Sequence, residues 1–314
     1  MIKSWTTTPK MLFINAKNRK FALKKTDSLY QRVLSLLLGD HHDTVLDILS
    51  KDKQVMAYTN NEFSVDENGQ VFLHGETRPV DRIVAEKLIA FTREAQPYQI
   101  LISFWKNLSE NPSEWARKQL YGFLSKNKHP ITDDGMFVAY KKVRMNDDGV
   151  LKDIHSGEFI NNIGHIVQMK RELVDPNPNQ TCSTGLHVAS FDYANSHYGS
   201  SNDVLLTVLV NPKDVVAVPA DYNNQKMRVC EYAVIGVASG EMADLYLSND
   251  RIIARMKDGL KQNIGFNFSG LTSKQIVQFV KLLTGEEINC NFKSKQSIVN
   301  HAERIFAERE LLAV

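Results

Sequence analysis

The chain has 314 residues, which is enough for two or three domains. Its 38 basic and 36 acidic residues leave a formal net charge of +2, so the composition excludes a global bias toward nucleic acid or an acidic membrane. No apolar run reaches the roughly 20 residues of a membrane-spanning helix, and the amino terminus lacks an apolar core of signal-peptide length. Three cysteines without a CxxC pair indicate a reducing compartment. We therefore expect a cytoplasmic protein that meets a membrane only peripherally.

Residues 1–78 have the pattern of a small α+β domain. The segments on either side of the polar residues 15–18 predict one hairpin, and the turn at 66–69 predicts another. Between them, Asp27 caps a predicted helix that stops at Gly39. This region contains no phosphate loop, nucleophile motif or metal-ligand spacing, so its predicted role is contact or scaffold.

Residues 79–128 have a helical pattern. Apolar spacing predicts one helix that ends near Pro97 and a second that carries Trp105 on its apolar face. Asn111 is the predicted cap of a third helix, to which Trp115 belongs. The two tryptophans have a helical spacing that is more typical of a packed core than of a ligand platform.

Residues 129–245 predict a β-rich central domain. Turn residues at 129–135 open it, and strands are predicted at 136–144, 165–169, 186–189, 204–210, 214–219 and 227–237. The uninterrupted apolar run Val204–Val210 predicts a strand that is buried on both faces. We expect residues from about 134 to 237 to form one compact unit, with an exposed loop at 174–180.

Residues 246–314 predict a separate helical module. One helix is expected at 249–260, a second begins with the capping box of Thr272 and Gln275, and Ser294 caps the last. Together these four segments predict an α+β protein with a small amino-terminal α+β region, helices, a β-rich centre and a helical carboxyl end.

Four basic side chains occur on this last module, namely Lys293, Lys295, His301 and Arg304. An ordinary solvated helix surface explains them, and contact with nucleic acid or a partner is the alternative.

Motifs between Asn111 and Val237 occur in an order that resembles the rIIB family of T-even-like bacteriophages. They are ITDDGMFVAYKKVR, GHIVQM, TCSTGLHVAS, HYGS, VNPKDVVAVPADYN and KMRVCEY. The resemblance implies an early phage protein that acts with an rIIA-like ATPase partner in the host cytoplasm, peripherally at the inner membrane. It further implies a role in lysis timing and in escape from prophage-encoded exclusion. A host defence factor and a second copy of the chain are further candidate partners, whereas nucleic acid is not expected to be the main one.

The order of strands in the central domain is also similar to the ADP-ribosyltransferase fold. In the His-Tyr-Glu type of that fold, a His and a Tyr hold the nicotinamide ribose and ring, and a late Glu stabilises the reacting centre. This similarity places Glu231 at the position of the Glu and His187 at that of the stacking Tyr. Tyr140 or Lys141 falls at the position of the His. The catalytic candidates under this alternative are therefore Glu231, His187 and Tyr140.

The same alternative makes Tyr193 and Tyr198 candidate cofactor contacts, with NAD as the cofactor. Without it, we expect no cofactor and no metal. Glu231 and His187 also have a purely structural explanation. Glu231 lies in an alternating strand, which favours a solvent-facing or salt-bridged carboxylate, and His187 in an apolar strand favours a hydrogen-bonded core histidine.

Other residue combinations carry weaker chemical signals. Cys182 with His187 suggests a thiol nucleophile, but no third group orients the pair. The domain contains four histidines without a zinc-type spacing, namely His155, His165, His187 and His197. Lys141, Lys142 and Arg144 lie on one strand and either meet a phosphate or form a solvated strand edge.

Three functions stay open on the sequence. The first is a non-enzymatic phage accessory protein, the second an ADP-ribosyltransferase or a relative that binds NAD or ADP-ribose, and the third a nucleic-acid-binding accessory protein. Because two of the three transferase positions depart from the pattern, we expect no NAD hydrolysis or ADP-ribosyl transfer. The near-zero net charge predicts weak and strongly salt-dependent binding to duplex DNA.

Overall fold

The computed structural model describes residues 2–16, 19–26, 30–49, 55, 57–65, 70–126, 129–196, 199–200, 203–242, 244–262, 268, 271–288 and 294–311. The chain forms two compact units, residues 1–101 and 102–314. Both helices and sheets contribute to the architecture, which confirms the predicted α+β class. The finer division into four segments stays a prediction.

The elements of the first unit with described bounds form a three-stranded antiparallel sheet, a two-stranded hairpin and helices. Its elements are β1 (Ile2–Thr7), β2 (Met11–Ala16), β3 (Arg19–Lys24), α1 (Tyr30–Leu38), α2 (His42–Leu49), β4 (Phe63–Val65), β5 (Val71–Leu73) and α3 (Arg82–Glu94). The next helix, α4 (Gln99–Ser109), contains the boundary between the units. Both predicted hairpins, β2–β3 and β4–β5, are confirmed. The predicted cap Asp27 and the turn at 66–69 lie outside the described residues.

Alternation along β2 decides which face of the three-stranded sheet is buried. Leu12 and Ile14 point inward and pack with Val33 and Leu37 of α1, whereas Phe13 points outward and is 42% exposed. The edge strand β1 was not predicted. A register shift between Ile2 and Ser4 interrupts its alternation, which hides the period of two in the sequence.

The second unit is built on a ten-stranded sheet with helices packed against it. Its strands are β6 (Ile131–Thr132), β7 (Phe137–Met145), β8 (Leu151–Asp153), β9 (Ile166–Gln168), β10 (Leu186–Ala189), β11 (Val204–Val210), β12 (Val215–Ala217), β13 (Lys226–Val229), β14 (Glu231–Val237) and β15 (Tyr246–Leu247). Its helices are α5 (Glu114–Lys126), α6 (Phe191–Ser196), α7 (Asn249–Lys261), α8 (Ser273–Thr284) and α9 (Lys295–Glu308).

The main path of this sheet has the order β12-β13-β10-β7-β11-β14-β9, and its neighbours are antiparallel. β11 lies between β7 and β14, and its residues from Leu205 to Val210 are buried, which confirms the strand predicted from the apolar run. Apolar residues cover both faces because neither face of this strand meets solvent.

The predicted single strand at 227–237 is wrong in one respect. Residue Cys230 separates β13 from β14, and the two halves join different neighbours. β13 pairs with β10 and β12, whereas β14 pairs with β11 and β9. One apolar segment therefore contributes to two parts of the sheet, and continuous hydrophobicity gives no sign of the change.

The helical carboxyl end follows the predicted caps. Thr272 and Gln275 form the capping box of α8, Gly285 ends that helix in a left-handed conformation, and Ser294 caps α9. The apolar faces of these helices pack with one face of the sheet, including Val138. Among the described residues, no helix combines the length and apolar character required to cross a membrane.

The two tryptophans of the helical segment have different environments. Trp105 on α4 is buried, as predicted, but Trp115 on α5 is 75% exposed, so its assignment to a core is wrong. The predicted cap Asn111 is also wrong. Ser113 accepts a hydrogen bond from Ala116 N and occupies the cap position, while the buried Asn111 side chain donates to the carbonyls of Pro212 and Val215.

The turn between β6 and β7 depends on one glycine. Gly135 has a φ of +71°, and a Cβ placed there would lie 2.3 Å from Phe104 N of α4. Both the conformation and the space require glycine. The turn therefore packs directly against the backbone of α4.

Candidate functional site

A polar group lies where β7 and β10 separate. The two strands pair at Ala189 and Tyr140, and one residue later the Lys141 Nζ donates to the His187 carbonyl at 3.1 Å. The same ammonium lies 5.7 Å from the ring centroid of Tyr232 on β14. We call Lys141, Asp153, His187 and Tyr232 the Lys141 cluster. It joins residues of four strands or strand ends in the second unit.

Burial controls the charge of the lysine. It lowers the Lys141 pKa to about 8, and the attraction of Asp153 only partly opposes that shift. For Asp153 itself burial acts to raise the pKa, but amide hydrogen bonds from Ser156 and Phe159 together with Lys141 produce a net lowering. Asp153 is therefore the fixed anion of the cluster, and Lys141 is its titratable cation.

Tyr232 completes the buried side of the cluster. Its hydroxyl donates to Asn161 Oδ1, and both residues are buried. Burial, followed by the charge of Asp153, raises the Tyr232 pKa well above its usual value. The phenol is consequently a neutral donor at physiological pH and does not act as a base.

His187 lies in a strongly cationic environment. Burial is the largest cause that lowers its pKa to about 4, and the charges of Lys141, Arg228, His155 and Lys226 contribute to the same shift in that order. The His155 ring is exposed, with its centroid 6.1 Å from that of His187. The His187 imidazole is therefore uncharged at neutral pH, which fits neither a proton donor nor a charged ligand contact.

Two buried cations on β13 hold the loop at 175–181. The Arg228 guanidinium, 0% exposed, donates to the carbonyls of Asp175, Asn177 and Gln180 at 2.8, 2.5 and 2.7 Å. Lys226 Nζ donates to the Thr181 carbonyl at 2.7 Å. The alternating sequence KMRV gave no hint of this arrangement, because charged residues in a strand usually face water.

Tyr140 lies on the helix-covered face of the sheet. Its side chain is fully buried, its ring packs edge-on against Phe191, and its hydroxyl accepts a hydrogen bond from Met242 N at 2.9 Å. Burial raises its pKa, although the bond from Met242 opposes that shift. Tyr193 packs half-buried against the same core, and Tyr198 lies outside the described residues.

Glu231 begins β14 and is half-buried. Its Oε2 accepts a hydrogen bond from Gln168 of β9 at 2.8 Å. The neighbouring Asp214 has a raised pKa, because its carboxyl is buried and the Glu231 charge repels its own. Glu231 therefore belongs to a different group of contacts from Tyr140 and His187, and the role of the three residues in catalysis stays a prediction.

The thiols of Cys182 and Cys230 differ in solvent exposure. Burial and then the charge of Asp214 raise the Cys230 pKa to about 11, so this thiol is protonated and unreactive at neutral pH. Cys182, the candidate nucleophile, is exposed. His165 is buried and His197 lies outside the described residues. Within the described part of the chain, no three His, Cys, Asp or Glu side chains form a group suited to a metal ion.

The basic residues of β7 all have protein contacts. Lys142 donates to the Asn195 carbonyl at 3.0 Å, and Arg144 forms a two-bond ion pair with Asp203. β7 is an interior strand, flanked by β10 and β11. The interpretation of these residues as a solvated strand edge is therefore wrong, because the edge does not exist.

Comparison with known proteins gives one consistent result. The family model for bacteriophage T4 protein rIIB matches residues 6–243. Protein rIIB of Enterobacteria phage T4 is 35% identical over 234 residues, which cover 74% of this chain and 72% of that protein. No solved structure matches the chain. The match includes every residue of the Lys141 cluster, and this chain belongs to the bacteriophage T4 rIIB family.

Proposed function

We propose that this chain is a non-enzymatic phage accessory protein that binds an rIIA-like ATPase partner. Through that partner it contributes to lysis timing and to protection against prophage-encoded or host exclusion. The family match across residues 6–243 is the observation that carries the proposal. The proposed place of action is the host cytoplasm, with peripheral association at the inner membrane.

The contacts of the central domain support a structural use of its polar residues. Lys141, Lys226 and Arg228 direct their donors to backbone carbonyls. The candidate catalytic residues Tyr140 and Glu231 also have protein hydrogen-bond partners. Groups engaged in this way stabilise loops and strands, and a catalyst would instead need them directed at a reacting atom.

Two exposed apolar side chains suit contact with a protein partner. Trp115 is 75% exposed and Leu173 is 58% exposed. The segments that carry them are joined, because Arg171 Nη2 donates to Asn111 Oδ1 at 3.0 Å. Tryptophan is among the residues that most often dominate binding energy in interfaces. We place the partner contact at Trp115 and Leu173.

The test is co-purification of the tagged full chain with the rIIA-like ATPase of the same phage. We expect the natural chain to retain the partner and Trp115→Ala to reduce retention at least about tenfold, as loss of a binding hot spot does. Leu282→Ala is the matched control, because Leu282 is also exposed (49%) but lies on α8.

Failure of the natural chain to retain the partner contradicts the proposed function itself. Equal retention by Trp115→Ala and the natural chain contradicts only the assigned surface. In infected cells, a deletion of the gene should change the time of lysis, and the natural sequence supplied in trans should restore it. Trp115→Ala should fail to restore it while accumulating to the same level.

A further inference from the structure

The charge of the chain is distributed unevenly. The first 26 residues contain seven of the 38 basic residues and none of the 36 acidic ones, so the other 288 residues carry a net charge of −5. The near-neutral total therefore conceals a strongly cationic segment. Most of the described residues of that segment belong to the three-stranded sheet β1–β2–β3.

Strand register places a defined set of these residues on one face. Phe13 is opposite Thr6 of β1 and Ala22 of β3, and alternation adds the remaining members. We call this the outer sheet face, and it consists of Ser4, Thr6, Met11, Phe13, Asn15, Lys20, Ala22 and Lys24. Its members are exposed apart from the half-buried Met11.

The composition of the outer sheet face matches one class of ligand. An aromatic ring occupies the central strand, lysines lie on the neighbouring strand, and three small polar side chains, Ala22 and the half-buried Met11 complete the face. Lys10 and Lys25, joined by a backbone hydrogen bond at the end of the hairpin, add two exposed cations. Proteins that bind single-stranded nucleic acid combine these features, because bases stack on the aromatic ring while cations attract the backbone phosphates.

We propose that the outer sheet face binds single-stranded DNA or RNA without strong sequence preference. Phe13 is the stacking platform, and Lys20 on that face and Lys25 at the adjoining end of the hairpin are the phosphate contacts. A duplex keeps its bases stacked internally and cannot use Phe13 in this way. An anionic membrane would attract the lysines, but one aromatic ring with an alanine and a half-buried methionine offers little apolar surface to insert. This inference is independent of the proposed rIIA-like partner and lies in the other compact unit.

The experiment measures binding of the full chain to a labelled, mixed-sequence single strand of about 20 nucleotides, long enough for a single site. The same strand in duplex form and vesicles of phosphatidylglycerol with phosphatidylcholine are compared in parallel, each over a range of salt concentrations. We expect the single strand to bind more tightly than the duplex, with affinity that falls as salt rises.

Two variants test whether binding occurs at the outer sheet face. Phe13→Ala should weaken single-strand binding about fivefold or more, since stacking of one base is lost. The double variant Lys20→Gln, Lys25→Gln should reduce the slope of log affinity against log salt by roughly 0.7 for each phosphate contact removed. Both changes lie on exposed positions, so thermal unfolding should stay unchanged.

Matched controls lie in the other unit. Trp115→Ala removes another exposed aromatic ring, and Lys261→Gln with Lys274→Gln removes the same charge from exposed helical sites. Neither control should change binding. The proposal is overturned if the single strand does not bind, if the controls weaken binding as much as the variants, or if vesicles bind more tightly with no dependence on Phe13.

Discussion

The two units use basic residues in opposite ways. On the outer sheet face, Lys20 is solvent-exposed and lies in a segment without acidic residues. In the central sheet, Lys226 and Arg228 are buried and donate to backbone carbonyls. Basic side chains therefore stabilise a loop in the second unit, and they produce a positive electrostatic potential at the surface of the first. Sequence composition counts both kinds of cation equally, so only burial separates them.

The largest expected effect is a loss of stability on removal of a buried cation from the second unit. Arg228→Met removes three hydrogen bonds and leaves the carbonyls of Asp175, Asn177 and Gln180 with fewer partners. We expect the free energy of unfolding of the second unit to fall by about 3 kcal/mol or more. Urea denaturation followed by circular dichroism measures the change.

Two substitutions serve as references for that measurement. Arg228→Lys keeps the charge but can reach fewer carbonyls, so it should give an intermediate loss. Lys20→Gln on the outer sheet face should change stability by less than about 0.5 kcal/mol. A similarly small change in Arg228→Met would mean that the carbonyl contacts contribute little to the fold.

A smaller effect should appear in the pH dependence of stability. Lys141 has a folded pKa of about 8, below its ordinary value of 10.5, because its burial disfavours the charged form. At this residue the unfolded chain therefore binds more protons between these two values, so the contribution of Lys141 to stability should rise with pH across that window. In Lys141→Met, the rise should shrink by about 1–3 kcal/mol.

Lys87 on α3 provides the internal reference for this titration. Burial also lowers its pKa to about 8, so part of the rise should persist in Lys141→Met. Removal of both residues, in Lys87→Met with Lys141→Met, should abolish it. An unchanged pH profile in the single Lys141→Met variant would show that this ammonium is solvated in the folded protein.

The smallest expected effect concerns catalysis. We expect the full chain to transfer no label from NAD, with or without host lysate, and Glu231→Gln to behave identically. The physical reason is that Tyr140 is buried with its hydroxyl bonded to Met242 N, and that Glu231 belongs to a different group of contacts from Tyr140 and His187. The three side chains therefore do not converge on one reacting ribose. Label transfer by the natural chain that disappears in Glu231→Gln would favour the ADP-ribosyltransferase alternative instead.

Sequence patterns identified the parts of this fold that depend on local chemistry. The apolar run of β11, the capping box of α8 and the β2–β3 hairpin all follow from neighbouring residues. The break at Cys230 could not be found, because it depends on which strands lie beside each half of the segment. β1 escaped detection for a related reason, since its bulge disrupts the alternation that marks a strand.

The polar sites were harder to predict than the strands. Lys141 and Arg228 lie in sequences that read equally well as exposed strands, and their carbonyl partners are about 50 residues away along the chain. Trp115 shows the converse problem, because a helical spacing identifies a face without saying whether anything packs on it. For the outer sheet face, the local count of charges was the available signal, and the total net charge concealed it.

The contact between Gly135 and α4 limits which amino acids position 135 can accept. A library with every amino acid at position 135, selected only for folded protein, should return glycine, since any side chain collides with the Phe104 backbone. Gly149 also has a positive φ, of +74°, but no atom lies near its missing Cβ. That position should accept asparagine and aspartate as well. Two glycines with nearly the same backbone angle would thus differ sharply in mutational tolerance.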